Sequence, residues 1–352
     1  DGIIFNQFED KESRYRHRHL DLIANPEIKN IFIKRARIIS SIRKYLDDNE
    51  FIEVETPVLQ SIYGGASARP FTTFHNSLNQ EYFLRIADEL FLKRLIIGGF
   101  DKVYEISKNF RNEGIDKNHN PEFTSLEFYQ AYADLYDMIN ITESIVKHVA
   151  KVNKINKIKF GEYNIDLAKP FNTATIFDLL KKYSDEDLSK LETAELIEFA
   201  KYEKKLDIDK NLNYGQILDK LFSEFVEPNL IDPIFVTDYP KSISPLAKIK
   251  RGGSNNIVER FELFIGGMEI ANSFSELNDP LEQRKRLEAQ SLLKEQGDYE
   301  AQVIDENYIQ AMEAGMPPTG GVGIGIDRLI MLLTNSQSIK DVIIFPTLKN
   351  ED

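Results

Sequence analysis

The sequence predicts an α+β fold, in which a mostly antiparallel sheet is flanked by helices. Runs of strand pattern stand apart from charged helical segments, whereas a doubly wound parallel sheet would alternate strands with helices. The pair Gly266-Gly267 lies between two apolar runs and predicts a tight hairpin between antiparallel neighbours. The 352 residues, of which 42% are hydrophobic, suffice for one large or two modest domains with a proper core.

Composition excludes several classes of protein. The chain has no cysteine, so a disulfide framework, a zinc–thiolate site and a cysteine nucleophile are impossible, and this fits the cytoplasm. There is no signal-peptide pattern, and no apolar run approaches the roughly 18 residues of a membrane span. The formal net charge of −13 gives no general attraction to nucleic acid, so any RNA contact must be local. Because the sequence begins with Asp1 rather than Met, we expect it to be part of a longer chain.

The elements near the start of the sequence are a basic run, a helix and a strand. The basic run from Arg14 to Ile23 predicts a solvated helix or linker face, with a local RNA contact as the alternative. Apolar residues at helical spacing predict a helix from Asn30 to Asn49. From Phe51 to Leu59 apolar and acidic residues alternate as in a strand, and Pro57 stops the ladder. A proline at this position predicts an edge strand or an interface.

Strands and a helix continue toward a polar loop. A strand is predicted from Tyr82 to Ile86, followed by a helix from Asp88 to Ile97 that Gly98-Gly99 closes. Two further strands, Val103 to Phe110 and Glu122 to Ala131, are joined by the polar loop. This arrangement predicts a hairpin that can present its loop to a ligand.

The residue pattern changes at the start of the second half of the chain. Residues 175–228 carry a charged helical pattern, which predicts a helical insertion distant from catalysis. Strands resume from Asn229 to Tyr239 and again at Val258. A charged helix then covers Asp279 to Gly297, and the Gly-rich run that starts at Gly320 predicts a strand leading into a helix.

The polar loop carries a cation, a carboxylate and an aromatic ring. The guanidinium of Arg111 presents a rigid fork of donors that suits a carboxylate or a phosphate. Glu113 can accept a hydrogen bond from an amine such as that of adenine, and Phe123 can stack on a purine. The alternative is a hairpin loop that is merely braced by an Arg–Glu pair.

The run GGVGIGIDR from Gly320 to Arg328 favours a ligand at this loop. It lacks the lysine of a P-loop and the third glycine of a dinucleotide fingerprint. Alternating glycines such as Gly323 and Gly325 instead let a ligand lie flat against the strand. Arg328, at the start of the following helix, would meet phosphate where backbone N–H groups also point.

The hairpin around Gly266-Gly267 predicts a magnesium site. With a two-residue turn, Glu262 opposes Ala271, and Glu269 lies diagonally beside it on the same face. Magnesium often binds one or two carboxylates and completes its shell with phosphates and water. A solvated strand face is the alternative. If Asn272 and the residues after it serve the same pocket, a bulge must lie between Glu269 and Asn272.

Together these features indicate ATP bound on a sheet. Two arginines would contact phosphates, two carboxylates would hold a cation and an aromatic ring would stack on the base. Chemistry on ATP can proceed by positioning and charge neutralisation alone, so no nucleophilic side chain is required.

The same segments resemble the class II aminoacyl-tRNA synthetases, in particular their lysyl branch. FIEVETPVL is similar to the family's motif 1, FRNEG…HNPEFTSLEFYQAYADL to motif 2 and PPTGGVGIGIDRL to motif 3. The segments GGASARPF, RIADELFLKRLIIGGF and IANSFSELNDP resemble the lysyl branch specifically. The similarity extends from about Arg14 to Pro346.

The resemblance implies a six-stranded antiparallel sheet and a bent ATP with more than one Mg²⁺ ion at the active site. Arg111 would bind the α-phosphate and Arg328 the γ-phosphate, and these two are the implied catalytic residues. The implied ATP-binding residues are Arg111, Glu113, Asn120, Phe123, Glu262, Gly325 and Arg328. Glu262 and Glu269 would carry the metal.

The resemblance also implies a pocket for L-lysine. Gly65 and Glu89 would take the α-amino group, and Arg111 and Asn272 the carboxylate. The ε-ammonium would lie among Glu127, Tyr129 and Glu276, with Phe274 against the aliphatic stem. A long cation needs acidic groups at its ends and an apolar wall between them, which agrees with these residue types.

The implied activity is that of a lysine–tRNA ligase, a cytoplasmic homodimer that forms lysyl-adenylate and then charges tRNA(Lys). Residues 1–25 would be the linker after a missing N-terminal OB-fold domain, residues 26–352 the catalytic domain and 175–228 an insertion in it. One alternative is a stand-alone paralogue that lysylates elongation factor P, and another is an inactive regulatory paralogue. The TGG run from Thr319 favours the synthetase over the first, and the intact Arg111 and Arg328 argue against the second.

Overall fold

The computed structural model describes residues 10–184, 186–209, 212–295, 297 and 299–350. The α-helices of the described residues, numbered in chain order, are α1 Lys11–Arg16, α2 Arg18–Ala24, α3 Ile28–Asp48, α4 Glu89–Ile97, α5 Leu135–Val152, α6 Ile176–Ser184, α7 Thr193–Glu198, α8 Tyr214–Phe225, α9 Pro280–Glu295, α10 Glu306–Glu313, α11 Ile326–Thr334 and α12 Ile339–Val342. None of these helices is long and apolar enough to cross a membrane.

The strands form one large sheet and two small ones. The strands are β1 Ile52–Glu53, β2 Leu59–Gln60, β3 Thr72–His75, β4 Gln80–Leu84, β5 Lys102–Phe110, β6 Glu122–Ala131, β7 Lys157–Phe160, β8 Tyr163–Asp166, β9 Asn172–Thr175, β10 Ile234–Thr237, β11 Arg260–Ile265, β12 Met268–Ser275 and β13 Thr319–Gly325. The large sheet has eight strands in the order β1-β5-β6-β13-β12-β11-β10-β9. Strands β2, β4 and β3 form a second sheet, and β7 pairs with β8 in a third.

The predicted α+β class is confirmed, and the large sheet adds two strands to the expected six. The six central strands are antiparallel to one another, in the order β5, β6, β13, β12, β11 and β10. The added strands are parallel to their neighbours, β1 to β5 at one edge and β9 to β10 at the other. The six-stranded antiparallel sheet is therefore the centre of a larger mixed sheet.

The segment from Phe51 to Leu59, whose ladder Pro57 was predicted to stop, contains two short strands in different sheets. Strand β1 pairs with β5 of the large sheet, whereas β2 pairs with β4. The chain between them contains Pro57, which has no N–H with which to continue a ladder. The chain therefore leaves the large sheet between β1 and β2, near Pro57.

Helices cover both faces of the large sheet. On one face α3, α5 and α11 contribute Ile38, Ile145 and Ile330 to a core with Phe128 and Phe261 of the sheet. On the other, α6 and α8 pack against Val236 and Phe264. The predicted helices of residues 175–228 therefore pack directly on the large sheet.

Two residues of the basic run near the N-terminus, Arg18 and Asp21, are buried. Arg18 is 2% exposed, and its guanidinium forms a 2.7 Å ion pair with the buried Asp21. It also donates hydrogen bonds to the carbonyls of Lys340 and Ile344. The predicted solvated face is wrong for Arg18, because this side chain fastens the first helices to the C-terminal segment.

The hairpin of β11 and β12 contains the predicted bulge. Gly266 and Gly267 have φ of 65° and 73°, which suits a two-residue turn with both central residues in the left-handed region. Phe264 pairs with Glu269, but beyond the bulge Glu262 pairs with Asn272. The predicted pairing of Glu262 with Ala271 is thus wrong by one residue, because the extra residue on β12 shifts the register.

Candidate active site

A cavity of about 600 Å³ opens on one face of the large sheet, between the hairpin loop after β5 and helix α8. Every residue that the sequence predicted for the site lines this cavity. These residues are Gly65, Glu89, Arg111, Glu113, Asn120, Phe123, Glu127, Tyr129, Glu262, Glu269, Asn272, Phe274, Glu276, Gly325 and Arg328. The structure thus brings together residues from seven separate stretches of sequence, while their individual roles remain predictions.

The floor of the cavity is acidic. Glu89 and Glu276 line it, and the ammonium of the fully buried Lys93 contacts both carboxylates. Burial raises the pKa of Glu276 to about 8, although the charge of Lys93 acts in the opposite direction. Burial also raises the pKa of Glu89. Burial alone would lower the pKa of Lys93, but the two carboxylates outweigh it and raise the pKa, so Lys93 stays charged.

A third carboxylate, Glu127, has separate partners. It accepts hydrogen bonds from the Tyr129 hydroxyl at 3.0 Å and from the Asp88 N–H at 3.1 Å. Burial raises the pKa of Glu127 well above its usual value, and the neighbouring Asp88 and Glu89 add to this effect. Glu89 and Glu276 thus share Lys93, whereas Glu127 is held by Tyr129 and the backbone of Asp88.

Arg111 lies above this floor. Its guanidinium covers the ring of Phe123 at 5.1 Å from the ring centre, and its Nε donates to the Ile86 carbonyl at 3.4 Å. Burial lowers the pKa of Arg111, while Glu113, Glu269 and Glu127 act to raise it. Among the described residues no carboxylate lies within ion-pair distance of this cation. Its remaining donors are therefore available to an anionic ligand.

The far side of the cavity holds Arg328. Its guanidinium forms a 3.1 Å ion pair with Glu269 and donates to Nε2 of His119 at 3.0 Å. An arginine can only donate, so Nε2 must be the accepting nitrogen. Nδ1 then carries the proton and donates it to Asp116 at 2.8 Å. The sequence prediction gave no role to His119 or Asp116, because their link to Arg328 spans about two hundred residues of sequence.

Glu262 is held by three donors. It accepts hydrogen bonds from Arg260 at 2.5 Å, the Tyr239 hydroxyl at 2.8 Å and Asn272 at 3.2 Å. Burial raises the pKa of Glu262 to about 7, with Arg260 opposing the rise and Glu269 adding to it. The oxygen Oδ1 of Asn272 is buried and has no hydrogen-bond partner among the described residues.

The donor set fits a magnesium ion that is shared with phosphates. Glu262 and Glu269 face the same cavity, and the described residues contain no group of three or more side chains that could hold a metal alone. Magnesium keeps several waters and takes one or two carboxylates together with substrate phosphates. Such a pair of glutamates is therefore sufficient only when phosphates complete the shell.

The side chain of Asn120 braces its own loop. Its amide nitrogen donates to the carbonyl of Glu122 at 2.6 Å, and its oxygen accepts from the N–H of Thr347 at 3.2 Å. Asn120 thereby fastens the end of the loop that precedes Phe123 to the C-terminal segment.

The alternating glycines of β13 have two different surroundings. A Cβ at Gly321 would collide with the Glu276 carboxylate and the Tyr129 ring, so glycine here lets these side chains lie against the strand. At Gly323 and Gly325 the nearest atoms would lie 3.8 Å from a Cβ, and both residues line the cavity. The predicted room for a ligand is therefore at Gly323 and Gly325, not at Gly321.

Helix α8 forms a wall that the sequence prediction missed. Asp219, Ser223 and Glu227, on or just after this helix, line the same cavity as the predicted residues. The prediction that residues 175–228 lie far from the site is therefore wrong. Their charged pattern does not distinguish a solvated face from one that lines a polar cavity, and only packing of α8 on the sheet decides between them.

This antiparallel sheet, with arginines and glutamates converging on one cavity, defines a class II aminoacyl-tRNA synthetase catalytic domain. Over residues 10–349 the chain matches the family described as tRNA synthetases class II (D, K and N), and it belongs to this family.

Three similar relatives carry a more particular name. The lysine–tRNA ligase of Clostridium novyi (strain NT) is 52% identical over 98% of this chain and 68% of its own length. Lysine–tRNA ligase 2 of Methanosarcina mazei is 51% identical over 99% of this chain and 68% of its own length. The lysine–tRNA ligase of Trichormus variabilis is 54% identical over 97% of this chain and 61% of its own length. These matches confirm the predicted lysyl branch.

Proposed function

We propose that this chain is the catalytic part of a lysine–tRNA ligase, which activates L-lysine with ATP and then transfers it to tRNA(Lys). The observation that carries the proposal is Arg111, a cation without a carboxylate partner among the described residues, between an acidic floor and a second arginine. Such a cation can neutralise a carboxylate and a phosphate at the moment they react. In this reaction a lysine carboxylate oxygen attacks the α-phosphorus, and pyrophosphate leaves.

The acidic floor supports an orientation for lysine. The ε-ammonium would lie among Glu276, Glu127 and Tyr129, with the ring of Phe274 along the aliphatic stem. The carboxylate would lie between Arg111 and Asn272. Gly65 and Glu89, which lie against each other, would take the α-amino group.

The opposite side of the cavity supports ATP. The adenine would stack on Phe123, with Glu113 accepting from its amine and Asn120 fixing the loop. Arg111 would contact the α-phosphate and Arg328 the γ-phosphate, while Gly325 leaves room beside the strand. We include His119 here, since it already shares the guanidinium of Arg328.

Glu262 and Glu269 would hold Mg²⁺, which neutralises phosphate charge when bound. We propose more than one ion, because Asp219 and Glu227 add further carboxylates to the same cavity. Burial raises the pKa of Glu227, and burial likewise raises that of Asp219, so both favour a nearby cation. A homodimer in the cytoplasm completes the proposal, the dimer forming through the short strands after α3.

The test is ATP–pyrophosphate exchange by the purified chain without tRNA, measured with each of the standard amino acids in turn. We expect exchange with lysine and negligible exchange with the others. Arg111→Ala should abolish it, because the attacking carboxylate and the α-phosphate would both lose their shared cation. Exchange that prefers another amino acid would refute the proposed substrate. Charging of tRNA(Lys) with radiolabelled lysine then tests the second step.

A further inference from the structure

Lys93 lies behind the acidic floor and not in the cavity. Its side chain is fully buried, and its ammonium contacts one carboxylate oxygen of Glu89 and one of Glu276. Both glutamates line the cavity, whereas Lys93 does not. A substrate can therefore reach the carboxylates, but it cannot reach the lysine that holds them.

When both carboxylates are ionised, as the binding of an ammonium requires, this group carries one unbalanced negative charge. Two carboxylates and one ammonium sum to a single negative charge, which matches the single ammonium at the end of a lysine side chain. The contact of Lys93 with Glu276 is to Oε2, and Oε1 has no hydrogen-bond partner among the described residues. This oxygen also lies directly against Gly321, a residue of the cavity wall.

We propose that Lys93 is a positioning residue for amino-acid recognition, which holds Glu89 and Glu276 side by side so that Glu276 Oε1 meets the substrate's ammonium. The inference rests on the proposed function and deepens it. Two buried carboxylates this close cannot both stay ionised without a cation, because each disfavours the charge of the other. Lys93 supplies that cation from outside the cavity, which leaves the cavity side of Glu276 to the substrate.

The first test replaces the cation with an apolar side chain of similar length, Lys93→Met. Without Lys93 the two carboxylates hold a proton more tightly, so the ammonium of lysine meets a weaker acceptor. We expect the KM for lysine in the exchange assay to rise by about tenfold or more, as for a broken desolvated charge pair. The KM for ATP should stay within about twofold, because Lys93 does not contact the side of the cavity that holds Arg328.

Two double variants distinguish charge balance from packing. Lys93→Met with Glu89→Gln restores the single negative charge and keeps Glu276, so the KM for lysine should fall below that of Lys93→Met alone. Lys93→Met with Glu276→Gln has the same charge but lacks Oε1 of Glu276, so no recovery is expected. If Lys93→Met alone does not fold, the two double variants still distinguish charge balance from packing. Charge balance predicts a lower KM for lysine in the first double variant than in the second.

The outcomes decide the inference separately from the proposed function. Lysine-dependent exchange by the wild-type chain tests the function, and its absence would overturn both. With wild-type exchange present, three results would each overturn the role of Lys93. These are an unchanged lysine KM in Lys93→Met, an equal rise in both KM values, and equal lysine KM values for the two double variants.

Discussion

At the scale of single residues, burial and charge act against each other at Glu276. The side chain is 1% exposed, and burial raises the pKa of its carboxyl to about 8. The charge of Lys93 opposes this rise in the pKa, and the charge of Glu89, which lies with Lys93 on α4, adds to it. A carboxyl in this balance carries a proton when the cavity lacks a cation and can release it when an ammonium arrives. Glu276 is thus suited to recognise a positive charge.

Replacing Glu276 by Gln should therefore impair lysine recognition. The variant keeps the shape and one acceptor but removes the charge. The loss of one member of a desolvated charge pair costs about 2–5 kcal/mol. The KM for lysine should rise at least about tenfold, since about 1.4 kcal/mol corresponds to a factor of ten, while the KM for ATP should change little. Glu224→Gln, on the exposed side of α8, is the matched control. A lysine KM that stays at the wild-type value would refute the assignment.

The affinity for lysine should also depend on pH. Because the pKa of Glu276 is raised to about 8, the carboxyl is protonated below that pH and must lose its proton to accept from an ammonium. The dissociation constant for lysine without ATP should thus fall as the pH rises from about 6.5 to about 8.5 around this pKa. Isothermal titration calorimetry of the wild type and Glu276→Gln measures this. The Gln variant should lose this dependence, and an equal slope in both proteins would contradict the prediction.

At the scale of elements, the β11–β12 hairpin places several of the predicted site residues in one cavity. The strict alternation of a strand would place Glu269 and Asn272 on opposite faces. The bulge between them turns the strand by one residue, so both line the cavity. Helix α8 packs against this hairpin, and the ring of Phe222 on α8 lies 5.5 Å from the ring of Phe264 on β11. Stability and substrate binding therefore depend on the same packing.

Truncating this contact should destabilise the protein and disturb the ATP side of the cavity. Phe222 is 1% exposed, so Phe222→Ala leaves a cavity in the core. Buried Phe→Ala changes cost about 3–5 kcal/mol. The KM for ATP should rise more than the KM for lysine, because Phe264 pairs directly with Glu269. Urea denaturation and exchange kinetics give the two quantities.

The control for this variant comes from the same segment. Tyr202 is 79% exposed, so Tyr202→Ala should change the free energy of unfolding by no more than about 0.5 kcal/mol. If Phe222→Ala is no more destabilising than Tyr202→Ala, the segment does not support the sheet.

At the scale of the whole molecule, one edge of the large sheet lies close in sequence to several exposed apolar side chains. Strand β1 is the terminal strand there, and its outer edge has no partner strand among the described residues. Exposed apolar residues lie in or beside the short strands β1, β2 and β3 and the turn after β3: Ile52, Val58, Leu59, Phe74 and Leu78. An unpaired edge with apolar side chains is the kind of surface that a two-fold partner covers.

We therefore expect a homodimer that is disrupted at this surface. Sedimentation velocity at micromolar concentration should give a dimer for the wild type and a monomer for Leu59→Asp combined with Phe74→Asp. The surface control is Leu292→Asp, since Leu292 on α9 is 57% exposed and lies outside this region of sequence. A wild-type chain that sediments only as a monomer would refute the expected dimer, and a double variant that remains dimeric would place the interface elsewhere.

The sequence by itself determined the parts that rest on local chemistry. Strand β6 begins and ends as predicted, and α4 ends at Ile97 with Gly98 as its cap, because periodicity and glycine act within a few residues. The two-residue turn of the hairpin follows from two adjacent glycines that adopt positive φ freely. The resemblance supplied the set of site residues, all of which line one cavity.

Only the tertiary structure decided which distant groups meet. Lys93 is four residues from Glu89, but its contact with Glu276 joins segments that are far apart in sequence. The split of the strand at Pro57, the burial of Arg18 and the cavity wall formed by α8 depend equally on what packs against them. The physical reason is that propensity and spacing are properties of a short segment, whereas burial, which sets the charge state of Glu276, is a property of everything around it.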